Sequence, residues 1–94
     1  MNLAAIQQFC EDVPILRLSL FGSVLRDDFT PISDVDLLVE YLPEAGITLL
    51  DMARQESQLT RLLEREVDLR TPQELSPYFR QEVLDRAVVI YERN

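Results

Sequence analysis

The chain has no histidine and no tryptophan, one cysteine and two glycines; nine residues are basic, but all nine are arginines and lysine is absent. Each shortage removes a class of chemistry. Without histidine there is no Ser-His-Asp triad and no histidine general base. Without lysine there is no Schiff base and no Walker-type phosphate lysine. The lone Cys10 has no internal disulfide partner and reads as a small hydrophobe on a helix, in keeping with a reducing cytosol. No apolar run approaches the roughly 18 residues of a membrane span. No basic start leads into an apolar stretch either, so a cytoplasmic protein with no membrane partner is expected.

What remains is acidic. Seventeen carboxylates against nine arginines leave a net charge of −8. Phosphate backbones need a basic stripe, so direct nucleic-acid binding is excluded from the expectations. Chemistry has to rest on carboxylates, hydroxyls and arginines. Ninety-four residues without repeats, low-complexity segments or a linker read as a single domain over residues 1–94. A chain of that length buries about 60–65% of its unfolded surface, enough for one core.

Hydrophobic periodicity divides the chain. Leu3, Ile6, Phe9 and Cys10 recur at helical spacing, and Pro14 bounds that helix near Glu11. From Ile15 to Phe21, leucines alternate with Arg17 and Ser19 in a half-buried strand that stops at Gly22. Val24 to Asp28 reads as a short turn or helix before Thr30-Pro31. Asp34 to Tyr41 is a second strand, with Asp34, Asp36, Leu38 and Glu40 on one face and Val35, Leu37, Val39 and Tyr41 on the other. Thr48 and Asp51 form an acidic capping box for a helix running to Glu64. Its expected apolar stripe is Leu49, Met52, Ala53, Leu59, Leu62 and Leu63, with Gln55 among the residues facing water. Glu66 to Arg70 is a short strand, and Thr71-Pro72-Gln73-Glu74 is a second capping box. A last helix over Pro77 to Arg86, burying Phe79, Val83 and Leu84, precedes an extended run from Val88 to Tyr91. The order predicts an α/β (α+β) domain, a small mixed sheet with flanking helices.

The chemistry concentrates in Gly22-Ser23, ten residues, then Asp34-Val35-Asp36. Carboxylates two apart on a strand project to one side, and like charges so close need a cation. An all-oxygen pair suits magnesium, which takes one or two carboxylates plus substrate phosphates. Antiparallel pairing of the first two strands brings Gly22-Ser23 to the same sheet end as Asp34 and Asp36. A parallel crossover through the long helix brings Asp68 there as well. Gly22 then lets backbone N–H groups approach a triphosphate, while Ser23 and Arg26 bind the same anion. Asp34, Asp36 and Asp68 are the candidate metal and catalytic residues, for two magnesium ions, with Asp68 also able to take a proton. The joint pattern should arise by chance on the order of once in 10⁵ starting positions. Asp68 is also explained by pairing with Arg70, and Arg26 by pairing with Asp27 or Asp28.

At these residues the sequence resembles the minimal nucleotidyltransferases of the DNA polymerase β-like superfamily, the small antitoxins paired with HEPN-domain toxins. The resemblance rests on Leu20 to Phe29, Ser33-Asp34-Val35-Asp36-Leu37-Leu38-Val39, Val67-Asp68-Leu69 with Thr71-Pro72, and Leu75-Ser76-Pro77-Tyr78 into Ala87 and Tyr91. It implies a polymerase β-like nucleotidyltransferase core, use of ATP and magnesium, and transfer of AMP onto a tyrosine hydroxyl of a cognate HEPN ribonuclease. The acidic surface suits a hetero-oligomer with a basic, RNA-binding toxin. Two other readings stand beside it: a non-catalytic nucleotide-binding antitoxin that acts by occlusion, and transfer of AMP to a small-molecule hydroxyl.

Overall fold

A computed structural model describes residues 2–22 and 34–93. Helix α1 (Leu3–Asp12) leads into strand β1 (Ile15–Phe21). Strand β2 (Val35–Tyr41), helix α2 (Leu49–Leu63) and strand β3 (Val67–Arg70) form the middle of the chain. A 3₁₀ turn (Pro72–Glu74), helix α3 (Arg80–Arg86) and strand β4 (Val88–Glu92) complete it. The sheet order is β3-β2-β1-β4. β1 runs antiparallel to both β2 and β4, whereas β2 and β3 are parallel across the α2 crossover. The mixed sheet with flanking helices is the expected α/β (α+β) architecture. Among the described residues no helix is long and apolar enough to cross a membrane.

One sheet face makes the core. Leu18 of β1, Val35, Leu37 and Val39 of β2 and Val67 and Leu69 of β3 pack with Ile6 and Cys10 of α1 and Leu59 of α2. Burial pushes the Cys10 thiol up to about 11, so it stays protonated and serves as packing. Asn2 caps the start of α1 through its Oδ1, which accepts from the Ala5 N–H at 3.1 Å. The other end of α1 is closed by a distant residue: Arg93 donates to the carbonyls of Cys10, Val13 and Ile15 at 3.0–3.1 Å.

Helix α2 has the expected Thr48–Asp51 capping box and ends on Glu64 in a left-handed conformation. Its buried stripe differs from the expected one. Gln55 is buried, and its Oε1 accepts from the Tyr41 hydroxyl, while Leu49, Ala53 and Leu62 are exposed. The helix is rotated so that Met52, Gln55, Leu59 and Leu63 face the sheet. The Tyr41 partner makes an amide acceptable there. Two further α2 side chains turn inward to the edge strand: Thr60 Oγ1 accepts from Val67 N–H, and Glu56 Oε2 from Leu69 N–H. They satisfy donors that an open sheet edge would expose.

The last helix also differs, starting at Arg80 rather than Pro77 and leaving Phe79 exposed rather than buried. Arg80 explains the delay. Its guanidinium donates to the carbonyls of Pro72, Gln73 and Leu75, which fixes the preceding chain as successive turns. Ser76 contributes a local turn, accepting from Tyr78 N–H, instead of a helix cap.

Candidate active site

The site is built at the sheet end where β1 finishes and β2 and β3 begin. Phe21 pairs with Asp36 across the antiparallel ladder, and Asp36 pairs with Asp68 across the parallel one. Paired positions on neighbouring strands share a face, so both carboxylates project from the face opposite the core. Asp34 sits one residue ahead of β2 at the same end and is exposed. Hydrogen-bond or charge interactions also engage Asp34 and Asp36. The Val35 N–H, between them, donates to the Glu66 carbonyl at 2.9 Å and ties the mouths of β2 and β3 together.

Gly22 has a conformational and a steric reason to be glycine. Its φ of +73° lies in the left-handed region, and a Cβ there would run into the Asp36 carboxylate. The sequence suggested a glycine that admits phosphates to the backbone; the fold adds that it admits the Asp36 side chain. That second reason was reachable by counting register from Phe21 opposite Asp36, given antiparallel pairing. Ser23 and Arg26, the other expected phosphate contacts, lie outside the described residues, as does the turn from Val24 to Asp28.

Asp68 is held from its own strand. Arg70 Nε meets Asp68 Oδ1 at 3.0 Å and Arg70 Nη2 meets Oδ2 at 3.3 Å, so the guanidinium covers both carboxylate oxygens. The Asp68 bond and charge raise the Arg70 pKa above the ordinary arginine value. Arg70 Nη1 also stands 3.8 Å from Glu74 Oε2, while Glu74 Oε1 accepts from Thr71 N–H and Oγ1. The Arg70 partner weighed for Asp68 is therefore present along with the shared sheet end.

The donor set can be tested against magnesium. Asp36 and Asp68 are hard oxygen donors in register, the number of carboxylates that ion commonly takes alongside substrate phosphates. The Asp36 carboxylate occupies the space that a Cβ at residue 22 would take. Residue type and register fit. Among the described residues, no three cysteine or carboxylate side chains are drawn into a ready-made metal cluster, and Asp68 is engaged by Arg70.

Residues 4–90 match the family model described as "Nucleotidyltransferase domain". A relative from Methanocaldococcus jannaschii, named "Putative protein adenylyltransferase", is 35% identical over 94 residues, covering 94% of this chain and 97% of its own. A solved structure described as a "putative minimal nucleotidyltransferase" superposes with a TM-score of 0.76 at 37% identity, over 93% of this chain and 87% of that one. A complex of a tri-AMPylated Shewanella oneidensis HEPN toxin with its MNT antitoxin shares the fold, with a TM-score of 0.70 at 20% identity, over 98% and 71% of the two chains.

Proposed function

The chain belongs to the nucleotidyltransferase domain family, and on that footing we propose that it is a protein adenylyltransferase of the antitoxin kind. It transfers AMP from ATP to a tyrosine hydroxyl of a cognate HEPN ribonuclease and so silences it. The observation that carries the reading is the register of Asp36 with Asp68 across β2 and β3, with the Asp36 carboxylate lying against Gly22. The relative's name supports transfer to protein, and the AMPylated toxin in the Shewanella complex supports the class of acceptor.

In the transfer, the tyrosine oxygen bonds to the α-phosphorus of ATP, the bond to the pyrophosphate oxygen breaks, and the hydroxyl proton leaves. Asp34, Asp36 and Asp68 would hold magnesium, which when bound neutralises charge on the attacking and leaving oxygens. Asp68, in register beside Asp36, is the candidate acceptor for the hydroxyl proton at a carboxylate oxygen once Arg70 yields it. Gly22, whose missing Cβ makes room for the Asp36 carboxylate, is proposed as a phosphate contact through its backbone. Ser23 and Arg26 are proposed as further phosphate contacts. The net charge of −8 favours docking on a basic nuclease in a hetero-oligomer.

The test is incubation with ATP, magnesium and the product of the neighbouring open reading frame, with intact-mass analysis of that partner. Additions of adenylate that disappear with Asp36→Asn and Asp68→Asn, while binding persists, support transfer. An unmodified partner that is nevertheless fully neutralised would overturn it in favour of occlusion.

A further inference from the structure

We propose that Arg70 is a latch on Asp68, a positioning residue that competes with a divalent cation for that carboxylate; this rests on the functional reading above. Three observations support it. The guanidinium contacts both Asp68 oxygens, at 3.0 and 3.3 Å, which are the lone pairs a metal ion would use. The pair spans only two residues of one strand, so it ties no two elements together, and with Arg70 48% and Asp68 42% exposed it contributes little to folding. A second carboxylate, Glu74, stands 3.8 Å from Arg70 Nη1, so a displaced guanidinium has a neighbouring charge to meet.

The arrangement answers a charge problem. Asp36 and Asp68 face the same way in register, and two carboxylates so disposed repel unless a cation is near. Arg70 supplies a cation to the Asp68 member from within the chain. An arriving metal ion replaces it, so the site trades one positive partner for another and the free ion binds more weakly than the bare carboxylates would allow.

The test measures binding of Mn²⁺ alone, without nucleotide, by electron paramagnetic resonance on the full chain. Arg70→Gln keeps the stem and removes the charge; it is expected to bind Mn²⁺ about three- to tenfold tighter than the wild type. Arg70→Lys, which keeps the charge but loses the planar fork, should fall between the two. Arg86→Gln makes the same change in net charge at a guanidinium paired with Glu82 on α3, and it should leave Mn²⁺ affinity unchanged. Thermal unfolding adds a second readout, with Mn²⁺ raising the midpoint of Arg70→Gln more than that of the wild type. Equal or weaker binding by Arg70→Gln, absence of binding from both proteins, or equal tightening by Arg86→Gln overturns the latch. AMP transfer by the wild-type chain is scored separately and judges the proposed function, so the two can fail independently.

Discussion

Two arginine–carboxylate groups occupy the same face of the sheet and are built in opposite ways. At one end Arg17 of β1 reaches Glu40 of β2 at 2.9 Å and Glu92 of β4 at 2.6 Å, so one guanidinium stitches three strands. At the other end Arg70 reaches Asp68 two residues away on its own strand. Opening the first group removes contacts between strands 23 and 75 residues apart in sequence. Opening the second disturbs no pairing. A charge group that joins strands belongs to the fold, whereas one that binds no second strand is free to answer to a ligand.

Asp36→Asn should break this comparison most sharply. AMP transfer should fall on the order of 100-fold or more, since the neutral side chain cannot serve as a charged metal ligand. Denaturant stability should not fall with it; a variant that loses activity and stability in parallel would make Asp36 a structural residue. Gly22→Ala comes next, with a cost of about 2 kcal/mol from the left-handed backbone and the Asp36 encounter together. Urea unfolding measures the cost, and transfer should fall as well because the displaced group is Asp36.

Arg17→Met tests the stitched end. It should cost about 1 kcal/mol by denaturant unfolding and leave AMP transfer within about twofold, since the pairs it removes are partly exposed. A loss of transfer with stability intact would erase the distinction between the two ends. Smallest at neutral pH is an effect at Tyr41, next to Glu40, that shows only on the alkaline side. Burial first, then the charges of Asp51 and Glu74, push the Tyr41 hydroxyl up to about 12. Because the folded pKa is raised, the stability from Tyr41 is complete below the unfolded value near 10 and is lost as pH rises toward 12. In Tyr41→Phe that alkaline loss should shrink, as read by unfolding midpoints across pH 9 to 12.

Much of this was legible in the residues because it depends on local rules. Alternation in Ile15–Phe21 and Val35–Tyr41 marks strands, and Thr48 with Asp51 marks a helix start. The spacing from Gly22 to Asp34 and Asp36 pointed to one sheet end, and a helix-length crossover pointed Asp68 to it. Less legible was the stripe on α2, where Gln55 takes a core position that periodicity assigned to apolar neighbours. A glutamine reads as surface until its partner is known, and Tyr41 is fourteen residues away. The start of α3 is hidden for a similar reason: Ser76-Pro77 has the look of a cap, but the three carbonyls held by Arg80 keep that stretch in turns. Phe79 has the spacing of a core residue, and the delayed start leaves it exposed.

The sequence by itself determined the chemistry available to this protein: carboxylates, hydroxyls and arginines, with no histidine or lysine, in a spacing that suits nucleotidyl transfer. It also determined the strands and the helices α1 and α2, because their periodicities are local. Tertiary structure alone decided which charges meet. Arg17 bridges strands, Arg93 closes α1, and the Asp36 carboxylate lies against Gly22. Those meetings follow from strand order and register, which set distances between residues far apart in the chain, and a list of residues does not contain them.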